Sequence, residues 1–414
     1  MHSYTLTDHL SKVRSDIRGP IYMESLRLQK EGRKILRLNT GNPAAFGFTM
    51  PDSVRQALSD GLDKALGYSD LRGMEESRAA ILDYHRQKGI QNIDMDDIYL
   101  SNGVSEMVQM LTLTCLNRGD EILLPSPNYS LWENCSHIAG AEPVFYQCRE
   151  ENAWCPDIED IARKITKKTV AILLIHPNNP TGAVYPKKLL LEIVELARKH
   201  DLMIFSDEIY DRLIYDDATE YHSVASLCPD LLTVTLNGLS KSHLVCGFRC
   251  GWGIISGPEK KKAFLKDGLT RLCAMRLCSN TPAQLLIPAA LHDSASTRAM
   301  LSPGGRLYEQ RKTTCDTLSR IDGISFVKNQ AAFYLFPKLD KEKFHITDDR
   351  KFAMDLLNAK NLLIVPSSGF GWTGNDHFRI VMLPEPKILG KAMEDLGDFL
   401  SDYRQDDSKK EYFA

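Results

Sequence analysis

Three runs of the chain leave little choice of fold: TVAILLI (169–175), LMIFSD (202–207) and LLTVTL (231–236). Each is apolar at almost every position, without the alternation of a strand that keeps one face in water. A run that short and that continuous fits a strand covered on both faces, as in a parallel sheet with helices above and below. The intervening segments agree. KLLLEIVELARKH (188–200) carries apolar residues at helical spacing and ends in basic residues suited to a helix C-terminus. Upstream, YLSNGVSEMVQMLTLTCL (99–116) reads as a strand end, a turn and a helix. DEILLPSP (120–127) and PVFYQC (143–148) read as further short strands. Alternation of this kind predicts an α/β fold with a mostly parallel sheet.

Ligands of such sheets bind at the carboxyl ends of the strands. The polar oddities of this chain fall there: Asn179, Asp207, Tyr210 and Lys241. The last ~110 residues change character. Helices over 306–321 and 349–361 alternate with strand-like AAFYLFP (331–337), LLIVP (362–366) and HFRIVML (377–383). That pattern is α+β and predicts a smaller second domain. A helix over 16–32 has no partner nearby in sequence and is expected to pack on it. The predicted division is a large domain over 46–295 and a small one from 1–45 with 296–414.

Net charge is −3, which gives no electrostatic case for a nucleic-acid or membrane-surface partner. No apolar run reaches the ~18 residues a bilayer span needs. The opening MHSYTLTDHLSKVRSD has no apolar stretch of the signal-peptide kind. The ten cysteines include no C-x-x-C pair. A chain of this length can bury a core without disulfides, so reduced, buried thiols in a cytoplasmic protein are expected. No metal site is predicted.

The chemistry concentrates in NGLSKSHLVCGFR (237–249). A lysine held dry at a strand end loses stability in its charged form, and its neutral amine can then bond an aldehyde. Taken alone, Lys241 reads more readily as a solvent-exposed loop lysine. Arg249 follows in a glycine-rich stretch, and an arginine fork suits phosphate. Asn102, Gly103, Val104 and Ser105 form a strand-to-helix turn, and a helix N-terminus attracts phosphate. A lysine for an aldehyde beside two phosphate grips suggests pyridoxal 5′-phosphate. Asp207 fits a carboxylate beside that cofactor's ring nitrogen. It also reads as the N-cap of a helix beginning EIY, and Asn179 as part of a plain turn in HPNNPTG.

GNPAAFGF, GYSDLRG, NGVSE, PNYSLW, PNNPTG, SDEIYDRLIY, NGLSKSHLVCGFRCGW and HFRIV occur in this order. Together they resemble the motifs of the class I aminotransferases, pyridoxal-phosphate enzymes of fold type I, over roughly residues 16 to 400. Within that class the wording of DIRGP, IYDRLIYDDA, GGRLYEQR and AAFYLFPK is most similar to the bacterial alanine (glutamate–pyruvate) aminotransferases. The resemblance implies a large-domain sheet of the seven-stranded type. It implies that Lys241 bonds the cofactor and shuttles the proton, and that Asp207 pairs with the ring nitrogen. Tyr210 and Asn179 would hydrogen-bond the ring hydroxyl, and Tyr129 would stack on the ring. Val104, Ser105, Ser240 and Arg249 would hold the phosphate. Tyr68 would reach the phosphate of a neighbouring subunit, which implies a homodimer with shared sites. Arg379 would grip the substrate α-carboxylate, with the substrate lying against Gly41.

The sequence departs from many relatives after the lysine, where Ser242 and His243 stand; His243 is expected to support or pack behind the site. The implied reaction moves an amino group between small-molecule amino and keto acids, L-alanine/pyruvate and 2-oxoglutarate/L-glutamate. Glutamate's second carboxylate needs a cation, for which Arg18 is the candidate; an exposed arginine near a helix start is the competing reading. Aspartate, aromatic or branched-chain specificity stays open, as does a pyridoxal-phosphate lyase or synthase on the same fold. A transcription regulator built on this fold would need a DNA-binding domain, for which the sequence offers only ~20 residues ahead of the resemblance.

Overall fold

The computed structural model describes residues 4–14 and 19–406. Its main feature is an eight-stranded sheet. The strands are β1 (Ile98–Asn102), β2 (Glu121–Ser126), β3 (Glu142–Arg149), β4 (Cys155–Pro156), β5 (Thr169–Ile175), β6 (Met203–Asp207), β7 (Thr233–Gly238) and β8 (Cys250–Ser256). Their spatial order is β1-β8-β7-β6-β5-β2-β3-β4. β3, β2, β5, β6 and β7 pair in parallel, whereas β8 pairs antiparallel with both β7 and β1. The two-residue β4 adds a reversed edge beside β3.

Alternate residues of the continuous apolar runs go to opposite faces. Ala171, Leu173 and Ile175 join a core with Val108 and Leu111 of the helix Val104–Cys115 and Leu265 and Leu269 of Glu259–Met275. Ile172 and Leu174 join a second core with Leu190, Ile193 and Val194 of the helix Lys187–Lys199. Each fully buried side chain of this size contributes about 1.5–3 kcal/mol, so both faces of β5 hold the sheet to its covering helices.

A separate core lies outside the sheet. The helix Pro20–Lys30 buries Ile21 and Leu28 in it, against Phe352, Leu356 and Leu357 of the helix Asp349–Lys360 and Leu389 and Met393 of Pro386–Asp402. Leu36–Arg37 pairs in parallel with Leu362–Leu363, which ties the early and late parts of the chain together. The strand expected over 331–337 is shorter than its composition suggests: Tyr334–Leu335 pairs with Ile380 and Val381, and Ala331 makes an isolated bridge to Ile214. Ala332, between the two, sits at φ +60°, outside strand geometry. All ten cysteines are free thiols, eight buried and two, Cys246 and Cys278, half-buried. Among the described residues no helix is long and apolar enough to cross a membrane.

Candidate active site

The carboxyl ends of the parallel strands open onto a cavity of about 1200 Å³. Asp207 is the last residue of β6, and Lys241 lies in the single helical turn Leu239–Ser242 that leaves β7. Arg249 precedes β8. Because β8 runs against its neighbours, its beginning lies at the edge where the other strands end, and eight residues suffice to bring Arg249 back beside Lys241. β1 delivers Val104 and Ser105 to the same edge at the start of their helix, whose first N–H groups have no partner within the helix. Gly103 makes this approach possible: it sits at φ +81°, and a Cβ there would lie 2.3 Å from Arg249 Nη2. Helix N-terminus and guanidinium thus share one cradle fitted to an anion.

Asp207 is 5% exposed and accepts a hydrogen bond from Trp132 Nε1 at 3.3 Å. Burial pushes its pKa up to about 6, against the lowering effects of Trp132, the Ile209 N–H and Lys241. No helix follows it to be capped: residues 208–212 form turns, and Asp207 Oδ1 receives only the Ile209 N–H, at 3.4 Å. The turn is fixed from behind. Glu208 accepts from Ser206, Ser223 and Tyr221. Asp211 accepts from Tyr84, Asn237 and Lys88. Burial alone would raise the Asp211 pKa, but the Lys88 ammonium outweighs it and holds the carboxylate charged.

Lys241 is half-buried rather than dry, and its Nζ donates to Gly41 O at 3.1 Å. Asn178, not Asn179, makes the turn contacts of HPNNPTG, accepting from Thr181 N and Oγ1. The Asn179 side chain is left to accept from Arg379 Nη1 at 3.1 Å. Arg379 also donates to Asn39 O and lies between the rings of Tyr334 and Phe370, while its Nε, buried, has no partner. Tyr210 donates to Tyr334 Oη at 3.0 Å, and burial raises its phenol pKa well above the usual value. Burial likewise raises that of Tyr129, which lines the cavity.

Of the thirteen residues predicted from sequence, eleven line this cavity: Gly41, Val104, Ser105, Tyr129, Asn179, Asp207, Tyr210, Ser240, Lys241, Arg249 and Arg379. Tyr68 does not; it is 81% exposed on a surface loop. Arg18 lies outside the described residues. His243 is buried against Ser242 Oγ, 2.9 Å from its Nδ1, and burial lowers its pKa to about 4; it does not line the cavity. Sequence reasoning missed Trp132, Asn39 and Tyr334. The hydroxyl of Tyr334 would be 2.3 Å from a Cβ placed on Gly41, so that glycine admits the tyrosine.

Among the described lining residues, five are basic (Arg14, Arg55, Lys241, Arg249 and Arg379) and one, Asp207, is acidic. A chain of net charge −3 has concentrated positive charge here. The donor set fits pyridoxal phosphate: a cradle for its phosphate, an amine for its aldehyde, and a buried carboxylate that needs a cationic partner such as a protonated ring nitrogen.

Comparison with known proteins agrees with this geometry. The family described as aminotransferase class I and II matches residues 33–395. The glutamate-pyruvate aminotransferase AlaA of Haemophilus influenzae is 48% identical over 405 residues, covering 98% of this chain and 100% of that protein. Among solved structures, an aminotransferase from Escherichia coli superposes with a TM-score of 0.96 at 45% identity, covering 98% of this chain and 100% of that one. An alanine aminotransferase from Pyrococcus furiosus gives 0.91 at 36% identity, over 96% of this chain and 100% of that one.

Proposed function

This chain belongs to the class I and II aminotransferases, and from that premise we propose that it moves an amino group between L-alanine and 2-oxoglutarate, giving pyruvate and L-glutamate, with pyridoxal phosphate as cofactor. The observation that carries this reading is the meeting, in one cavity, of Arg379 held by Asn179 with Lys241 and a buried Asp207. The choice of alanine rests on the relatives named for that reaction.

Pyridoxal phosphate, when bound, supplies an aldehyde that captures amines and a ring that withdraws electrons from the α-carbon of the captured substrate. The chain's own residues do the rest. Val104 and Ser105 offer backbone N–H groups, and Ser240 and Arg249 a hydroxyl and a guanidinium, to the phosphate. Asp207 would place negative charge at the ring nitrogen, and such a cationic partner would draw its pKa back down. Asn179 and Tyr210 would hydrogen-bond the ring hydroxyl, and Tyr129 would pack on the ring. Arg379 binds the α-carboxylate with two parallel donors and so fixes which α-carbon bond faces Lys241. Lys241 Nζ would take the α-proton and hold it as an ammonium for return. Amino donor and keto acceptor use one site in turn, which is ping-pong kinetics.

The active unit in this reading is a homodimer. Tyr68 and Leu66, 81% and 85% exposed, lie on a loop joined through Ser69 and Gln284 to the segment carrying the exposed Met275 and Leu277. An apolar surface of this kind supports an interface, across which Tyr68 serves the partner's phosphate site. The division into a large domain over 46–295 and a small one from the two ends belongs to the same proposal. So does a cytoplasmic location, which the free thiols fit.

A screen of amino donors against pyruvate and 2-oxoglutarate, with purified holoenzyme, tests the reading. Alanine with 2-oxoglutarate should give the highest kcat/KM. Aspartate or an aromatic donor outrunning alanine would overturn the substrate assignment; amino donor alone leaving the cofactor spectrum unchanged would overturn transamination.

A further inference from the structure

Tyr334 lines the cavity, is 2% exposed and has no task in the chemistry above. It begins the two-residue strand Tyr334–Leu335, where it pairs with Val381. Arg379 stands two residues before Val381 on the strand Phe378–Val381, so both side chains leave the same face of the pair. Diagonal neighbours across an antiparallel pair are within reach of long side chains, and the Arg379 guanidinium lies 4.6 Å from the centre of the Tyr334 ring. The far end of that ring meets a second element. Its hydroxyl is 3.0 Å from Tyr210 Oη, and the two rings pack edge to face. Among the described residues this hydroxyl has no other hydrogen-bond partner. Each phenol has one hydrogen to give and lone pairs to receive with. Tyr210 gives its hydrogen to Tyr334 here. If it turns that hydrogen to another acceptor in the cavity, the 3.0 Å contact survives only with Tyr334 as the donor.

We propose that Tyr334 is a positioning residue that joins the two halves of the site: its hydroxyl donates to Tyr210, which frees Tyr210 to donate to the cofactor's ring hydroxyl, while its ring supports the guanidinium of Arg379. The proposal rests on the reading of the chain as a pyridoxal-phosphate aminotransferase with Tyr210 beside the ring hydroxyl, and it adds the group that stands behind Tyr210. An oxygen that receives a hydrogen bond makes a stronger one with its own hydrogen. A stronger donor at the ring oxygen favours that oxygen's ionised form. Alanine and glutamate share the α-carboxylate and the cofactor, so Tyr334 serves both alike.

The test titrates the visible absorbance of bound pyridoxal phosphate against pH in wild-type, Tyr334→Phe, Tyr210→Phe and Tyr334→Phe/Tyr210→Phe holoenzymes. Loss of either hydroxyl should raise the midpoint, because the ionised ring oxygen loses support. One neutral hydrogen bond corresponds to roughly two- to tenfold in an equilibrium, so Tyr334→Phe should raise the midpoint by roughly 0.3–1 pH unit. The double variant should go no further than Tyr210→Phe, since Tyr334 acts through it. Tyr334→Phe keeps the ring beside Arg379, so its KM for alanine should stay within about twofold of wild type. Tyr334→Leu removes the ring and should raise that KM about fivefold. Should Tyr334→Leu fail to fold, the titration of Tyr334→Phe decides. A Tyr334→Phe midpoint within about 0.1 unit of wild type, or a shift that persists in full in the Tyr210→Phe background, overturns the role of Tyr334 even if activity falls. Equal KM values in Tyr334→Leu and Tyr334→Phe overturn the support of Arg379. A midpoint unmoved by Tyr210→Phe overturns the placement of Tyr210 at the ring hydroxyl, and the proposal with it.

Discussion

Arg379 and Asn179, 200 residues apart in sequence, meet inside the cavity through a 3.1 Å hydrogen bond from Nη1 to the asparagine side-chain oxygen. The bond fixes the guanidinium plane, which in the proposed reading presents a two-pronged donor to the substrate α-carboxylate. Arg379→Lys keeps the charge and loses the fork. A hydrogen bond to a charged group contributes about 1.5–3 kcal/mol, so kcat/KM should fall roughly ten- to a hundredfold. Half-reactions with alanine and with glutamate should fall alike, because both carry the α-carboxylate; a loss confined to one of them would reassign Arg379.

Asp207→Asn separates charge from shape. The asparagine can still accept from Trp132 Nε1, but it cannot hold a proton on a ring nitrogen, and turnover should fall sharply. Its stability effect has a definite sign. Burial raises the Asp207 pKa to about 6, so the folded cofactor-free protein keeps a proton that the unfolded chain releases near pH 4. This group's contribution is full below about pH 4 and lost as pH rises through about 6, a difference of about 2–3 kcal/mol. At pH 8 the cofactor-free variant should therefore unfold at a higher temperature than wild type, and the gap should close by about pH 4. A pH-independent gap would mean that Asp207 is not buried as a charge.

His377 predicts the same sign of pH dependence in another place. It is fully buried two residues before Arg379, with Nδ1 2.7 Å from Asp376 and Nε2 3.5 Å from Glu150. Burial disfavours its charge, but the two carboxylates outweigh burial and raise its pKa, while the Asp376 pKa is held down to about 2. Stability from the raised histidine is full below about pH 6.5 and lost as pH climbs through its folded value. His377→Gln should cost most at pH 6 and least at pH 9 in thermal unfolding. An equal cost at both would reduce His377 to packing among Trp154, Trp372 and Phe336.

Two inactive chains should restore each other. Lys241→Ala removes the amine but only one hydrogen bond, to Gly41 O, so the fold should survive while turnover is lost. Tyr68→Phe, if the hydroxyl serves the partner's phosphate, weakens every site of its own homodimer. Mixed and exchanged, the two should yield hybrids with one intact site and recover activity above the mean of the parents. No recovery after exchange has been demonstrated by mass would count against shared sites.

What could be read from sequence follows a physical line. Asn179, Asp207 and Lys241 each close an apolar run, so the strand that buries the run also delivers the polar residue to the sheet's edge. Tyr334 gives no such signal: in AAFYLFP it looks like one more buried aromatic, and only packing against Gly41 turns its hydroxyl toward Tyr210. The helix expected after Asp207 fails because Glu208 and Asp211 are bound to side chains from other elements, Tyr221 and Lys88 among them, which hold the turn. Partners that distant leave no local pattern.

The reversed strand β8 has a consequence for the order in which the protein can be made. β1, the first strand of the sheet to leave the ribosome, has its ladder partner in β8, the last. Until residues 250–256 are synthesised, β1 has no place in the sheet, and the helix it carries cannot meet Arg249. The nascent chain can align β5, β6 and β7, with Asp207 at their edge, long before the phosphate cradle exists. The anion cradle of Val104, Ser105 and Arg249, in the proposed reading the cofactor's anchor, is thus finished by the same stroke that closes the sheet, and a ribosome stalled before residue 250 would expose a sheet already formed in part but without that cradle.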